Sequence, residues 1–379
     1  MKTRMLEKLN LRLPLLGFGC MRLPLAPDGS IETKAASEMV DYALKNRINY
    51  FDTAYMYHQG RSESFIGEAL RQYPRESYML TTKLHTSYTR TKADVERIFQ
   101  EQLAKCQVDY FDFYLLHDVD KTRFEVIDEL RIYDFLKQKQ AEGKIRHIGF
   151  SSHDDHRHIA ELLDRYDFDA VQLQINYLDW TLRNAEACYQ LLEERGIPCI
   201  VMEPVKGGSL AEVPEAVREI FTACAPEASP ASFALRWVAS LPNVKMVLSG
   251  MSSMEQLVEN TQVMADFIPL SGAEQEAVRA AVAIFDSLKQ IPCTGCKYCI
   301  DCPVGVNIPG VFNLFNRQAI FGQKEHFRIK QFYGTIYADH EKGSACIGCE
   351  RCVKLCPQHI AIPAELEKAD RVLMEIINK

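Results

Sequence analysis

The feature that most constrains the fold is an alternation of short β-rich runs with helical patterns, repeated eight times between residue 11 and about residue 265. Eight strand–helix repeats in about 250 residues are typical of a closed (β/α)8 TIM barrel. An open, doubly wound sheet is the alternative, but GFGCMR lacks the third glycine of a dinucleotide-binding fingerprint. The runs are PLLGFG, INYFDTA, YMLTTKL, YFDFYLLH, IRHIGFSS, AVQLQIN, PCIVMEP and VKMVLSG.

Composition is that of an ordinary globular protein. The chain has 379 residues, of which 47% are hydrophobic and 25% charged, which is enough for one large domain and one small one. Its first residues, MKTRMLEKLNLRLP, interleave charge with leucine and lack the apolar core of a signal peptide. No run of about 18 apolar residues follows. We therefore expect a cytoplasmic protein that does not enter a membrane.

Charge is unevenly distributed along the chain. Residues 289–379 carry 12 Lys and Arg against 9 Asp and Glu, so the acidic excess behind the net charge of −7 lies in the first 288 residues. A nucleic-acid partner requires a strongly basic face. The balance therefore argues against nucleic-acid binding.

Polar residues occur where the early β-rich runs end. Asp52 ends INYFD, Lys83 lies near the end of YMLTTKL, His117 closes YFDFYLLH, and Tyr57 follows Asp52 by five residues. Carboxyl ends of barrel strands face the active site. A Lys83 ammonium held by Asp52 would stabilise a Tyr57 phenolate, and His117 would donate a hydrogen bond to a carbonyl oxygen. Singly, each residue has an ordinary structural explanation, but the ordered set predicts a catalytic site.

The alternatives at this end of the barrel stay open. Tyr55 lies two residues before Tyr57, and spacing within the chain does not by itself choose between them. His58, His85 and His153 also follow predicted strands and could line the mouth of the barrel.

The segment FDTAYMYHQGRSESFIGEAL, residues 51–70, resembles the D-T-A-x-x-Y and G-x-S-E-x-x-x-G-E-A-L motifs of the aldo-keto reductase family. All four positions of that family's catalytic tetrad match, and the resemblance extends over about residues 11–265. It implies that Tyr57, rather than Tyr55, is the general acid for carbonyl reduction. It also implies hydride transfer from NADH or NADPH to a small-molecule carbonyl, or the reverse from an alcohol.

The resemblance also implies cofactor contacts. Ser151 matches the serine that holds the nicotinamide carboxamide, whereas Ser152 replaces the family's asparagine. Gln172 matches the family's amide-binding glutamine, and Glu259 and Asn260 match the pair that approaches adenine.

Other cofactor positions depart from the family pattern. Met202 stands where a ring commonly stacks on nicotinamide, and Gly250 and Gln256 stand where cations commonly hold the 2′-phosphate of NADPH. Lys206, beside two glycines, is a candidate ligand for the pyrophosphate or the 2′-phosphate. Without the family's cations we expect NADH to bind within about tenfold of NADPH, or better. A flavin is the alternative cofactor.

Cysteine usage points to iron–sulfur clusters near the C-terminus. The second of two short runs reads C-x2-C-x2-C-x3-C-P, the bacterial ferredoxin signature, and the first is one residue shorter in its last spacing. In two-cluster ferredoxins the Cys before Pro reaches across to the other cluster. This implies two [4Fe–4S] clusters, and tetrahedral zinc is the alternative. The predicted ligand sets are Cys293, Cys296, Cys299 and Cys356, and Cys346, Cys349, Cys352 and Cys302.

The spacer between the runs is aromatic-rich and helical in pattern, so the second domain resembles the helical ferredoxin type. We therefore predict an α/β chain with a barrel over residues 1–288 and a small, mainly helical ferredoxin-like iron–sulfur domain over residues 289–379.

Three functions follow from this organisation. The first is an oxidoreductase that links a nicotinamide, a carbonyl or alcohol, and the cluster pair. Because hydride transfer moves two electrons and each cluster passes one, that coupling needs a flavin, a radical-tolerant substrate or a redox partner protein. The second makes the clusters structural or redox-sensing, with ordinary carbonyl reduction in the barrel. The third is an electron-transfer protein whose barrel is a docking scaffold or a flavin-binding module.

Overall fold

The structure is a computed structural model that describes residues 1–182, 185–293, 295, 299, 301–356 and 358–379. Its contacts divide the chain into two compact units. The first comprises Met1–Ala211 and Ser229–Gly272, and the second comprises Glu212–Ala228 and Ala273–Lys379. The predicted domain boundary after residue 288 remains a prediction.

The first unit is a closed eight-stranded parallel barrel, which confirms the predicted fold class. Around the barrel the strands follow in chain order, and the last strand, β10, pairs with the first, β3. Each of the eight predicted runs contains one of these strands. They are β3 (Leu16–Gly19), β4 (Tyr50–Asp52), β5 (Met79–Leu84), β6 (Phe111–Leu116), β7 (Ile145–Ser152), β8 (Ala170–Gln174), β9 (Cys199–Met202) and β10 (Val244–Gly250).

Helices follow the strands, and several carry the caps expected from their sequence. Thr91 and Asp94 form a capping box at the start of α3, and Ser253 caps α11 through the backbone of Gln256. The helices are α1 (Thr33–Lys45), α2 (Ser62–Leu70), α3 (Lys92–Cys106), α4 (Lys121–Glu129), α5 (Ile132–Ala141), α6 (His156–Arg165), α7 (Asp179–Leu182), α8 (Ala185–Glu194), α9 (Glu215–Cys224), α10 (Pro230–Ala239), α11 (Met254–Ala265), α12 (Gly272–Ser287), α13 (Ile308–Phe321), α14 (His326–Ile329), α15 (Arg351–Leu355) and α16 (Ile362–Ile377).

An N-terminal hairpin closes one end of the barrel. It consists of β1 (Thr3–Leu6) and β2 (Leu11–Pro14), which pair antiparallel. Leu6 and Leu13 are fully buried in one cluster with Tyr50, Phe113 and Met246, which lie in the early parts of their strands. The hairpin therefore covers the N-terminal end of the barrel and leaves the C-terminal end for the site.

Side-chain alternation along the strands decides which residues face the barrel interior. Tyr50, Phe113 and Ala170 belong to the inner cluster, whereas their neighbours Phe51, Tyr114 and Val171 pack in the larger core outside the barrel. Residues two positions further along the inner face reach the C-terminal end. Asp52 and Gln172 are two such residues.

In the part that the structure describes, the second unit contains helices joined by loops and has no strand. Its core is formed by α13 and α16, where Phe312, Leu366 and Leu373 are almost completely buried. A π-helical segment, Lys330–Ile336, follows α14, and its buried Tyr333 packs in the same core. The predicted helical character of this domain is confirmed. Among the described residues, no helix is long and apolar enough to cross a bilayer.

Candidate active site and cluster site

The four predicted catalytic residues lie together at the C-terminal end of the barrel. Asp52 ends β4, Lys83 lies near the end of β5, and His117 directly follows β6. Tyr57 begins a short 3-10 turn after β4, and its hydroxyl returns to within hydrogen-bonding distance of Lys83. The site is thus assembled from three adjacent strands.

The ammonium of Lys83 organises this group. Lys83 is fully buried and donates to Asp52 Oδ1 at 2.5 Å, to the Thr53 carbonyl at 2.8 Å and to the Tyr57 hydroxyl at 3.2 Å. These three bonds use all three protons of the ammonium. The cation also lies 4.8 Å from the centre of the Tyr57 ring. The phenol is therefore fixed beside a buried positive charge.

Burial and charge act in opposite directions on Tyr57. Burial raises the pKa of Tyr57 above its ordinary value, and the Lys83 cation only partly offsets that effect. The expectation that Lys83 favours the phenolate has the right sign, but burial is the larger effect in the isolated chain. Tyr57 therefore keeps its proton at neutral pH. Burial also opposes charge on Lys83, yet Asp52 and Tyr57 together raise the pKa of Lys83, so the ammonium stays charged.

His117 is a neutral imidazole beside the phenol. Its ring is 5.8 Å from the Tyr57 ring and 5.4 Å from the His85 ring, and both pairs are edge-to-face. Burial, helped by the nearby Lys83 cation, holds the pKa of His117 well below its usual range. The buried Nδ1 of His117 has no hydrogen-bond partner in the described part of the chain. A neutral imidazole offers one N–H donor, as a carbonyl oxygen requires.

Ser151 and Gln172 present polar atoms suited to a carboxamide. Both side chains are buried on adjacent strands, where they are in register. The Ser151 hydroxyl accepts from the Asp118 amide at 2.8 Å and keeps its own proton to donate. Gln172 Oε1 is buried and, among the described residues, makes no hydrogen bond. A nicotinamide carboxamide carries one acceptor and two donors, so these residues fit that group.

Ser152 differs from Ser151 because successive residues of a strand point to opposite faces. Its hydroxyl donates to the Val119 carbonyl at 2.7 Å and accepts from the Asp154 amide at 3.0 Å. Its single proton is thus used within the protein. Ser152 thus holds these loops together, and a cofactor contact at this residue stays a prediction.

Lys206 is held by a buried carboxylate. Its ammonium pairs with Asp179, which is 1% exposed. The other oxygen of Asp179 accepts from Gln174 at 2.7 Å and from Asn176 at 2.8 Å. This ion pair holds the Lys206 side chain in the loop after β9, and a role of Lys206 as a phosphate ligand stays a prediction. Met202, at the same strand end, is partly exposed.

The predicted adenosine end follows β10. Gly250 and Gln256 are exposed, and Gln256 Oε1 accepts from the Ser252 amide at 2.8 Å. Glu259 is partly exposed on α11, while the buried Asn260 donates to Ser249 at 3.2 Å. These positions lie on one strand end and one helix face, consistent with a shared binding role.

In the second unit, cysteines from both runs line one cavity of about 150 Å³. Cys302 from the first run joins Cys346, Cys349 and Cys352 from the second, which is the set predicted for one cluster. Cys299 also lines the cavity, and Cys349 is exposed. Converging soft thiolates are the donor set that iron–sulfur clusters require. Of the other predicted ligands, Cys293 and Cys356 are partly buried, and Cys296 lies outside the described residues.

Two residues that support the site were missed at the sequence level. Asp179, which holds Lys206, is separated from it by 27 positions. Gln102, on α3, donates to the Lys83 carbonyl at 3.0 Å and to the buried Glu63 at 2.7 Å. Asp179 follows the end of β8 closely enough to have been noticed as a polar residue at a strand end. Gln102 gave no signal, because a single polar residue on a helix is ordinarily exposed.

Comparisons with known proteins agree with this geometry. The family model described as the aldo/keto reductase family matches residues 15–283, and that of the 4Fe-4S dicluster domain matches residues 292–361. The uncharacterized oxidoreductase YqkF of Bacillus subtilis (strain 168) is 30% identical over 293 residues, covering 69% of this chain and 90% of the relative. The NADH-specific methylglyoxal reductase of Escherichia coli (strain K12) is 25% identical over 326 residues, covering 74% and 98%.

A solved structure agrees as well. The holo form of aldo-keto reductase AKR11C1 from Bacillus halodurans superimposes with a TM-score of 0.63 at 28% identity. The match covers 74% of this chain and 96% of that protein. The chain therefore belongs to the aldo/keto reductase family of NAD(P)-dependent oxidoreductases, and it continues into a 4Fe-4S dicluster domain.

Proposed function

We propose that the barrel interconverts a small-molecule carbonyl and its alcohol, with Tyr57 as the acid and base. The observation that carries this proposal is the buried Lys83 ammonium, which contacts both Asp52 at 2.5 Å and the Tyr57 hydroxyl at 3.2 Å. A bound nicotinamide supplies or accepts the hydride. The remaining chemistry belongs to the chain's own side chains.

In the reductive direction the proton moves from Tyr57 to the substrate oxygen. The carbonyl carbon gains the hydride and its oxygen gains the phenol proton, so the product is an alcohol and Tyr57 is left as the phenolate. Lys83, 3.2 Å from that oxygen, stabilises the negative charge until solvent returns the proton. His117, as a neutral imidazole, donates a hydrogen bond that orients the carbonyl.

Cofactor orientation rests on the strand ends. Ser151 and Gln172 hold the nicotinamide carboxamide, and Glu259 and Asn260 approach the adenine. The buried, unpartnered Gln172 Oε1 supports this assignment, because a carboxamide N–H would satisfy it. These residues would therefore hold the nicotinamide at the same end of the barrel as Tyr57.

We further propose that the second unit holds two [4Fe–4S] clusters that exchange single electrons with a partner protein. Its two cysteine runs supply eight candidate thiolates, and the exposed Cys349 lines the described cavity. Electron transfer between proteins requires a cluster near the surface. Cys349 and its exposed neighbour Ile347 meet that requirement.

The barrel function is tested with two tyrosine variants that form a matched pair. Tyr57→Phe removes the acid and should lower carbonyl reduction by about 10²–10⁴-fold, while the dissociation constant for the nucleotide changes by about twofold or less. Tyr55→Phe is the control, because the Tyr55 hydroxyl donates to Glu101 at 2.8 Å and its ring lies against Tyr88 and Lys105. Equal activity in the two variants would reject Tyr57 as the acid.

A further inference from the structure

We propose that Arg22 binds a phosphate group of the nicotinamide dinucleotide. This inference rests on the proposed function, because it assigns a residue to the same cofactor site. Arg22 ends a short 3-10 turn, Cys20–Arg22, directly after β3. The guanidinium group is planar and always charged, and it matches phosphate oxygens in pairs.

Barrel closure brings Arg22 to the region where barrels bind phosphate. Such sites are commonly formed by the loops after the seventh and eighth strands of the barrel, which here are β9 and β10. Because β10 pairs with β3, Gly250 lies opposite Gly19, and the loop that carries Arg22 is their neighbour. A residue near the start of the barrel sequence thus reaches the phosphate region.

The Arg22 side chain occupies the space that a side chain at position 250 would fill. A Cβ added to Gly250 would lie 2.7 Å from Arg22 Cγ and 2.9 Å from Arg22 Cβ, which are closer than real contacts. The Arg22 carbonyl accepts from the Ser252 hydroxyl at 2.9 Å, so the loop is tied to the end of β10. Because residue 250 is glycine, the Arg22 side chain can occupy the position at which other members of the family carry a cation.

Arg22 is available for a ligand. It is exposed, and its guanidinium has no hydrogen bond or ion pair within the described part of the chain. Lys206, the other candidate cation, is paired with Asp179, and Gln256 is uncharged. Arg22, on the loop after β3, therefore supplies the cation that position 250 at the end of β10 lacks.

The expectation that NADH binds about as well as NADPH rested on the absence of the family's cations. Arg22 supplies a cation that can make two hydrogen bonds to one phosphate. The phosphate could be the 2′-phosphate, found only in NADPH, or the pyrophosphate, which both nucleotides share. To distinguish the 2′-phosphate from the pyrophosphate, wild type and Arg22→Ala are each titrated with NADPH and with NADH by calorimetry. A charge-assisted phosphate contact corresponds to about a 10- to 100-fold change in dissociation constant.

We expect Arg22→Ala to weaken NADPH binding by about 10- to 100-fold. Weakening of NADPH alone assigns the 2′-phosphate, and equal weakening of both nucleotides assigns the pyrophosphate. Arg12→Ala is the charge-matched control, because Arg12 is exposed on β2 of the hairpin that covers the other end of the barrel. Both dissociation constants should stay within about twofold of wild type in this control.

Gly250→Ala is a second variant, which leaves every charge in place but displaces the Arg22 side chain. It should weaken the same nucleotide or nucleotides as Arg22→Ala. If Arg22→Ala matches the Arg12→Ala control for both nucleotides, the assignment of Arg22 is overturned while the proposed function stands. If wild type binds neither nucleotide, the proposed function fails first and this inference fails with it.

Discussion

The barrel site and the cluster site hold their reactive groups in different ways. In the barrel, opposite charges and hydrogen-bonding partners are buried together, so Lys83 is fixed by Asp52, Thr53 and Tyr57 at 2.5–3.2 Å. In the second unit, Cys302 and three cysteines of the second run converge on one cavity, and thiolates repel one another. The comparison teaches that the barrel side chains organise one another, whereas the cysteines need iron to balance their charge.

The largest effect is expected when a cluster ligand is removed. Protein purified without oxygen should contain about eight iron and eight sulfide per chain, and Cys352→Ser should lose about four of each. Because cluster binding and folding are linked, the variant should also lose helical circular dichroism from the second unit. Cys224→Ser is the control, since Cys224 lies on α9 outside both runs. Two zinc and no sulfide would contradict the cluster assignment.

The same variant tests whether the clusters take part in turnover. If they exchange electrons with a partner, Cys352→Ser should keep carbonyl reduction by NADPH. After the clusters have been reduced with dithionite and the excess removed, the variant should pass fewer electrons than wild type to a one-electron acceptor such as cytochrome c. Loss of both activities together would mean that the two functions are not separable.

The next largest effect is expected from removing the buried cation of the barrel. Lys83→Met removes the counter-ion of the buried Asp52 carboxyl, which should lower the free energy of unfolding by about 3–5 kcal/mol and remove carbonyl reduction. Asp52→Asn in the Lys83→Met background should recover part of the stability but not the activity. Arg71→Met is the contrast, because the Arg71–Glu68 pair is exposed and contributes about 1 kcal/mol or less. Denaturant titrations of the four proteins give the comparison.

A smaller effect on stability is expected when a buried hydrogen-bonding group of the second unit is removed. The buried Tyr333 hydroxyl accepts from the Gly343 amide at 2.8 Å and donates to Asp370. Tyr333→Phe should lower the stability of this unit by about 1–2 kcal/mol, because both partners lose a hydrogen bond. Iron content should stay at the wild-type value. If the iron content falls as far as it does in Cys352→Ser, hydrogen bonds such as those of Tyr333 are needed to hold the clusters, which would contradict the comparison of the two sites.

The smallest effect concerns pH. Because the folded-state pKa of His117 is depressed, its contribution to stability is present above the unfolded value of about 6.5 and is lost as pH falls below it. The loss can reach at most about 1.4 kcal/mol per pH unit. Denaturant titrations at pH 7.5, 6.5 and 5.5 should show a shallower pH dependence for His117→Gln than for wild type. The control is His340→Gln, because His340 is exposed. If both variants flatten the pH dependence of the free energy of unfolding equally, the pH effect does not come from His117.

Much of the barrel was predictable because its strands are short apolar runs that recur at regular intervals, separated by helical patterns. The eight runs and the four catalytic positions follow from local pattern and from the family motif around Tyr57. The hairpin of β1 and β2 was missed, because its strands interleave charged residues with leucine and methionine and form no continuous apolar run. Its role also depends on Leu6 and Leu13 reaching the barrel interior, which local pattern does not reveal.

Contacts between distant parts of the chain were the least predictable. Lys206 pairs with Asp179, and although each residue follows a strand end, no local pattern predicts that the two pair with each other. Arg22 reaches Gly250 only because the first and last barrel strands pair. The convergence of Cys302 with the second cysteine run could be predicted, because in two-cluster ferredoxins the Cys before Pro binds the other cluster.

The pairing of β3 with β10 also sets an order of events during synthesis. The seam joins Gly19 to Gly250, so the ribosome must deliver about two thirds of the chain before the ring of strands can close. Every cysteine of the two runs lies beyond that point, since the first is Cys293. Cluster assembly therefore cannot begin until the last barrel strand has been made. Until β10 arrives, β3 has an unpaired edge, and unpaired strand edges favour pairing with other chains.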